Sequence, residues 1–388
     1  MYSLNQYLFS LSDPDQLTRT LHGIEPLRDA LGELRFVAGN SAAIFPIRYK
    51  GRLYALRCYF RPMQHLRPIY GERYLPEELY LWETTRTGRW VDVVMTDWIE
   101  GETLQTAIEK AVADDDRLRL QQLSASFDRL AAKLLADDWA HGDLKPDNLI
   151  VEPSGALRLI DFDAMYLPAL RGMHASEIGT SAYQHPSRTA EAFDERLDDY
   201  STALIASALH ALQLDPSLYA RYRDRDGLLF DPSKGTDDAA YREVMELFAK
   251  EGDALWYRIC GALDHTSYRL PHLIDLFAQL VERENHERQP IATTDDNIPE
   301  LFVEQGRWGF RTEDRVVVSP LYDEGFDFSE GLAAVRLGRY WHFIDPRGRT
   351  VLHCPACDAV KPFREGYATL VCGKRRQKID KRGELFDF

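Results

Sequence analysis

An acid, a cation and an amide fall within six residues of His141-Gly142-Asp143-Leu144-Lys145-Pro146-Asp147-Asn148, as Asp143, Lys145 and Asn148. A second acid, Asp161, follows 13 positions after the amide. Phosphoryl transfer calls for this mixture. One carboxylate orients the attacking hydroxyl and accepts its proton, oxygen ligands hold Mg²⁺, and a cation offsets the charge that builds on the transferred group. Asp143 suits the first role, Asn148 with Asp161 the second, and Lys145 the third.

Such groups need a rigid carrier. The apolar run Leu149-Ile150-Val151 follows Asn148 directly, Ser154-Gly155 marks a turn, and Leu157-Arg158-Leu159-Ile160 leads into Asp161-Phe162-Asp163. This reads as a hairpin with a polar loop before it and an acid behind it, which brings Asp143, Asn148 and Asp161 to one edge. Upstream, residues 34–98 read mostly as strands, for example Arg52 to Tyr59 and Val91 to Met95, rich in Val, Ile and aromatics. From Leu104 to about Arg283 the pattern is helical, with Leu123, Phe127, Leu130 and Leu134 recurring near the 3.6 period. Between Glu282 and Pro299 the chain turns polar, as a linker does.

Taken together these motifs resemble the protein-kinase family. His141-Gly142-Asp143 stands where the family has H-R-D, Asn148 lies five residues after the Asp, and Asp161-Phe162 stands where it has D-F-G. Lys145 is the serine/threonine form of that loop. Gly179 to Pro186 is similar to the end of an activation segment, and Asp198-Asp199-Tyr200-Ser201 to the start of the long buried helix, where Asp198 would brace the catalytic loop. Asp97-Trp98-Ile99-Glu100-Gly101-Glu102 is similar to the hinge that meets adenine. The resemblance implies ATP with Mg²⁺, or Mn²⁺ in its place, as cofactors. It further implies Asp143 and Lys145 as catalytic residues, Asn148 and Asp161 as metal ligands, and Thr96 as gatekeeper. Asp97 and Ile99 would contact adenine through their backbone and Glu102 the ribose, with Ala55 and Ile150 also lining the nucleotide site.

Several departures bear on activity. Arg57, in Tyr54-Ala55-Leu56-Arg57, occupies the phosphate-binding lysine position; it would grip phosphate oxygens or pair with a helix glutamate, for which Glu72 is the candidate. The glycine-rich loop is reduced to Gly39-Asn40-Ser41, readable as a weakened phosphate loop through Gly39 and Ser41 or as an ordinary hairpin turn. Asp163 replaces the D-F-G glycine. Gly142 replaces the H-R-D arginine, removing the usual grip on a phosphorylated activation loop. Ser187 follows Pro186 in place of the family's Glu, so an ion pair to an arginine such as Arg269 is not expected and that end must be held otherwise.

Past the linker the chain repeats itself. Phe328-Ser329-Glu330-Gly331-Leu332-Ala333 returns as Phe363-Arg364-Glu365-Gly366-Tyr367-Ala368, an offset of 35 that also relates Ile344-Asp345 to Ile379-Asp380. Each unit reads as short strands with an Asp-x-x-Gly turn, and neighbours must stack to bury their aromatic face. Residues 300–388 resemble WG repeats, with Trp308-Gly309 keeping the full dipeptide and Trp341-His342 and Arg376-Gln377 departing from it. They read equally as a β cap on their neighbour or as a docking surface.

The composition is that of a globular protein, and the net charge of −15 argues against nucleic acid or anionic membranes as partners. No apolar run is long enough to span a bilayer and the N-terminus lacks a signal-peptide pattern, so the cytoplasm is expected. Five cysteines do not read as a disulfide framework; Cys354-Pro355-Ala356-Cys357, with His353 and Cys372, reads as packed reduced thiols or as half a zinc site.

The expected fold is α+β: a bilobal protein-kinase-like domain with a β-rich small lobe (34–98) and helical large lobe (99–283), then a small all-β repeat domain. Residues 1–33 form an extension packed on the small lobe, and 284–299 the linker. The expected function is ATP- and Mg²⁺-dependent phosphoryl transfer to a protein serine or threonine hydroxyl, the 300–388 repeats docking a protein substrate or regulator. The alternative is a pseudokinase, a nucleotide-binding scaffold acting through protein interactions. With no arginine at position 142, Thr180→Glu should leave any transfer rate within about twofold of wild type in a phosphate-transfer assay, and a many-fold rise would overturn this.

Overall fold

The computed structural model describes residues 1–84, 86–287 and 298–387. The chain is α+β, and among the described residues the recorded strand pairings are antiparallel. It divides into two compact units: Met1–Leu104 with Asp138–Gly179 and Thr189–Leu197, and Gln105–Asp137 with Thr180–Arg188 and Asp198–Phe388. Residues 34–98 thus share a unit with the 141–163 motifs. No helix among the described residues is long and apolar enough to cross a membrane.

The first unit is built on a six-stranded sheet whose central strands are Ala42–Tyr49, Arg52–Tyr59, Gly88–Asp97 and Tyr74–Trp82. Alternation along these strands splits their side chains between two faces. One face carries Phe45, Ile47, Leu56, Cys58 and Val93, and the helix Leu4–Ser12 covers it with Tyr7 and Leu11. That helix starts at Ser3, whose side chain and that of Gln6 each cap the other's backbone N–H. The buried Glu78 holds the following segment by accepting from the backbone N–H groups of Thr20 and Leu21, both at 2.8 Å. Residues 1–33 therefore complete the core of this unit. The opposite face carries Ala42, Tyr59 and Val94, packed with Leu66, Tyr70 and Phe162. A separate three-stranded sheet pairs Glu102–Thr103 with Leu149–Val151, and that strand with Leu157–Leu159, the hairpin anticipated from the sequence.

In the second unit the helix Asp199–Leu214 is buried along most of its length, as its Ala- and Leu-rich sequence requires. The segment Gln184–Arg188 is held by His185: its Nε2 lies 3.0 Å from the His265 carbonyl and its Nδ1 2.7 Å from Ser187 Oγ. The last helix runs from Leu273 to Glu287, into the first residues expected as linker. Residues 288–297 of that linker lie outside the described residues.

The repeats form three small sheets, the second and third four-stranded. The Asp-x-x-Gly turns recur as the sequence requires. Asp345 Oδ1 accepts from the N–H groups of Arg347 (2.9 Å) and Arg349 (3.0 Å), and Asp380 Oδ1 from Arg382 and Glu384, both at 2.9 Å. Gly348 and Gly383 close them at φ +80° and +89°. Neighbouring units share cores: Trp341, Phe343 and Leu352 pack with Val360, Phe363 and Leu370. The first two sheets also bury Ala254, with Tyr257 packed against the same cluster.

The contact to the helices is polar as well. Helix Ala239–Glu251 ends at Gly252, whose φ of +67° lets the chain turn, and Asp253 caps the next helix, Ala254–Gly261. His342, which stands at a WG glycine position, sits 2.8 Å through Nε2 from the Ala249 carbonyl at this turn. Thr350 Oγ1 donates to the Gly252 carbonyl at 3.2 Å, and Arg258 pairs with Asp323 at 3.0 Å. The repeats are thus packed on the C-terminal helices as part of one core.

His342 is 1% exposed, and burial lowers its imidazole from the ordinary 6.5 to about 4. A depressed folded pKa favours the neutral ring, so its contribution is present above pH 6.5 and is lost as pH falls towards 4. Compared with His342→Gln in urea unfolding, wild type should lose about 2 kcal/mol between pH 7 and pH 5. A difference independent of pH would contradict the assignment.

Candidate functional site

The loop that carries Asp143 is pinned at its ends by Ala140 and Tyr166, which exchange backbone hydrogen bonds of 3.1 and 2.9 Å. Between them the backbone is crowded. Gly142 has φ +79°, and a Cβ there would lie 2.1 Å from the Ala164 carbonyl oxygen. No side chain fits at this position. His141 is fully buried beside the ring of Phe162. The Asp143 N–H donates to His141 Nδ1 at 3.3 Å, which leaves the ring proton on Nε2 to donate to the Ile160 carbonyl at 2.9 Å. The imidazole thus ties the start of the loop to the strand that delivers Asp161.

Asp143, Lys145 and Asn148 converge. Asn148 Nδ2 donates to the Asp143 carbonyl (2.8 Å) and to its Oδ2 (3.1 Å), and Lys145 Nζ lies 3.1 Å from the same Oδ2. Asn148 sits in a single 3₁₀ turn opened by Pro146, and its own N–H donates to the Lys145 carbonyl at 3.0 Å. The amide orientation is therefore set, with Nδ2 committed to Asp143 and Oδ1 turned away from it.

Asp161 follows at a strained point, a non-glycine residue at φ +67° directly after the strand Leu157–Leu159. Its Oδ1 lies 2.5 Å from Arg57 Nη2. The other side of the same guanidinium meets Asp163, Nε lying 2.8 Å from Oδ2. Asp163 is 2% exposed, and its Oδ1 accepts from the hydroxyls of Tyr59 (2.9 Å) and Tyr70 (2.7 Å). Arg57 is thus shared by two carboxylates, one of them locked by two tyrosines. Burial would raise Asp161, but the charge of Arg57 and the hydrogen bond from its guanidinium, with Lys145 adding to them, hold this carboxyl below the ordinary range. Burial pushes Asp163 up, and Arg57 only partly offsets it. Burial would lower Arg57, yet Asp161 and Asp163 hold it firmly charged.

This corrects the expectation for Glu72. It stands exposed on the 3₁₀ turn Gly71–Arg73, after a helix of only five residues, Leu66–Tyr70, and it is not among the recorded partners of Arg57. The carboxylates that pair with Arg57 are those of Asp161 and Asp163. Sequence reading noted arginine and aspartate as separate departures and missed that opposite charges at these two positions compensate. It also missed Tyr59 and Tyr70. Glu177 was missed as well: burial, with the charges of Asp163 and Asp161, raises its carboxyl, and Ser176 Oγ donates to the Asp163 carbonyl at 3.0 Å.

The remaining candidates lie on the six-stranded sheet, on the separate three-stranded sheet or in the turns beside them. Ala55 is directly across from Thr96, and Arg57 from Val94. Ile150, 8% exposed, lies in the hairpin strand opposite Thr103, and Glu102 lies opposite Val151. Gly101 permits this approach, since a Cβ there would meet the Val151 carbonyl oxygen at 2.3 Å. Asp97 ends its strand opposite Tyr54, and the Ile99 backbone has no protein hydrogen-bond partner among the described residues. Gly39 and Ser41 form a tight hairpin turn, Gly39 N–H donating to the Ala42 carbonyl at 2.9 Å. A Cβ at Gly39 would have only that oxygen near it, at 3.9 Å, so nothing in the protein itself requires glycine there. A groove of about 580 Å³ flanks the Asp97–Ile99 stretch, lined also by Arg52, Glu152 and Arg158. Its lining does not include Arg57 or Asp161, so it is distinct from the carboxylate cluster.

Removing one member of a buried ion set strands the others. Arg57→Ala should destabilise the protein by about 3–5 kcal/mol in urea unfolding, through the uncompensated Asp163. The Arg57→Ala, Asp163→Gly double variant should lose less than the sum of the singles by at least about 1 kcal/mol, and strictly additive losses would overturn the pairing.

Comparison with known proteins identifies two parts of the chain. Residues 311–341 match the family model described as "WG containing repeat". Over 135 residues the chain is 29% identical to serine/threonine-protein kinase 36 of Pongo abelii, a match covering 34% of this chain and 10% of that relative. The C-terminal β region therefore carries a WG repeat, and part of the chain is similar to a part of a serine/threonine kinase.

Proposed function

We propose that this protein binds ATP with Mg²⁺ and transfers the terminal phosphoryl group to a serine or threonine hydroxyl of a protein. The observation that carries this reading is the convergence of Lys145 and Asn148 on Asp143 Oδ2, at 3.1 Å each. An acid so held can orient a hydroxyl and accept its proton, while the Lys145 ammonium stands ready to offset charge on the transferred oxygens. The donor set suits Mg²⁺. Asn148 Oδ1 and Asp161 Oδ2 are hard oxygen atoms with no protein hydrogen bond among the described residues, and Arg57 takes only the other oxygen of Asp161. When bound, the ion would neutralise and orient the phosphates, held by Asn148 and Asp161.

The other residues have supporting roles. Arg57 positions Asp161 and would offer Nη1 to the inner phosphates, while Ala55, Thr96 and Ile150 would flank the base and the Ile99 backbone would meet its edge. Gly39 and Ser41 would border the phosphates, and Glu102 the ribose. The repeats, packed on the helices, would present the docking surface for a protein substrate or regulator.

A second reading has its own support. Because Arg57 neutralises Asp161, affinity for the metal is lowered, which favours a pseudokinase that binds nucleotide without turnover. Transfer of label from γ-labelled ATP with Mg²⁺ or Mn²⁺ to a generic basic protein separates the two. Under the first reading Asp143→Asn and Asp161→Asn each reduce transfer by at least about a hundredfold. Absence of transfer together with ATP-dependent thermal stabilisation would establish the second in its place.

A further inference from the structure

The last sheet of the repeats departs in charge from the rest of the chain. From Ala359 onward eight Lys and Arg stand against four Asp and Glu, in a protein whose net charge is −15. Its strands run Ala359–Arg364, Tyr367–Cys372, Arg375–Asp380 and Leu385–Asp387, each antiparallel to the next. Ala368, Leu370 and Ile379 face the core shared with the preceding unit, so alternation turns Tyr367 and Thr369 outward. The register sets Lys361 and Lys378 directly opposite Thr369, one on each side, and Arg364 opposite Tyr367. The two lysines are thus two strand spacings apart, roughly 10 Å. With Ser329, these residues line a groove of about 460 Å³ in which every charged lining residue is a cation.

This face differs from its counterpart one unit earlier. Phe326 and Phe343 stand 35 residues before Lys361 and Lys378. Phe343 meets Phe363 of the next unit, ring centroids 4.8 Å apart, so an apolar stacking position has a cationic equivalent in the last unit. Solvating the outer face of a terminal repeat needs only polar groups, of either sign. Among the described residues the side chains of Lys361 and Arg364 make no ion pair or hydrogen bond, whereas the neighbouring Lys381 reaches Glu330 at 3.4 Å. Tyr367 and Phe386, each 40% exposed, add aromatic surface beside the cations.

We propose that this groove docks an extended protein segment rich in Asp or Glu, and so rests on the docking role proposed for the repeats. Alternate side chains of an extended segment fall on one side, so acids at every second position meet the cations while the rest lies along Tyr367. A nucleic acid is a poorer match. Lys378 Nζ lies over the Tyr367 ring at 5.6 Å and Phe386 packs against that ring, so the surface on which a base would stack is taken. The negative charge of the whole chain also repels a long polyanion.

The test measures binding of a labelled peptide, Glu alternating with Ser, to the full chain without nucleotide at about 0.15 M salt, by fluorescence anisotropy. The same peptide with Gln for Glu and a single-stranded oligonucleotide are its controls. Wild type should bind the Glu peptide at least about tenfold more tightly than either. Lys361→Glu with Arg364→Glu should weaken that binding at least about tenfold. Lys374→Glu with Arg375→Glu, an equal change in charge outside the groove lining, should stay within about threefold. All four side chains are exposed, so neither double variant threatens the fold. No binding of the Glu peptide by wild type, or equal losses in the two double variants, would overturn the proposal. Binding of the oligonucleotide as tightly or more tightly would assign nucleic acid in its place. Self-association of wild type that the groove variant abolishes would assign a second copy of the chain. Because no nucleotide is present, absence of phosphoryl transfer leaves a positive result standing, and absence of binding leaves the transfer reading intact.

Discussion

A guanidinium cannot be buried without a counter-charge, and the site is organised around that constraint. Arg57 projects from a central strand and is 11% exposed. Its charge is met by Asp161 on one side and Asp163 on the other, while Tyr59 and Tyr70 satisfy the remaining oxygen of Asp163. Leaving any one of these buried groups unmatched costs several kcal/mol, so the set behaves as a unit. It also links the six-stranded sheet to the segment carrying the acids, and thereby sets where Asp161 points.

The loop bearing Asp143 is held by backbone packing more than by charge. Gly142 lies against the Ala164 carbonyl where no side chain fits, and the imidazole of His141 bridges to Ile160. An arginine at position 142 would need a different backbone. In the same loop Lys145 and Asn148 are tied directly to Asp143. Asp161 meets Arg57 through one oxygen, and among the described residues its second oxygen has no protein hydrogen bond.

The repeats obey a similar economy. Each sheet alone leaves an aromatic face uncovered, and stacking covers it, with Phe343 against Phe363 and Phe310 against Phe328. The departure from the WG dipeptide at His342 falls where a ring nitrogen is used to bond the carbonyl at the end of helix Ala239–Glu251. At Gly309 the dipeptide is kept, and there a Cβ would lie 2.6 Å from the Val318 carbonyl oxygen. Close backbone approach retains glycine at one repeat, and contact with the helices selects histidine at the next.

Sequence alone determined the local chemistry: the apolar hairpin after Asn148, the polar loop ahead of it, the Asp-x-x-Gly turns and the stacking of the repeats. These follow from neighbouring residues, whose periodicity, turn preferences and unsatisfied apolar faces are written in order along the chain. Only the tertiary structure decided which carboxylate neutralises Arg57, since Asp161 and Asp163 lie more than a hundred residues away and Glu72 was nearer in sequence. It likewise decided that the first 33 residues complete a core and that His342 meets Ala249. Long-range pairing is chosen by burial and geometry acting together, and a linear pattern of residue types records neither.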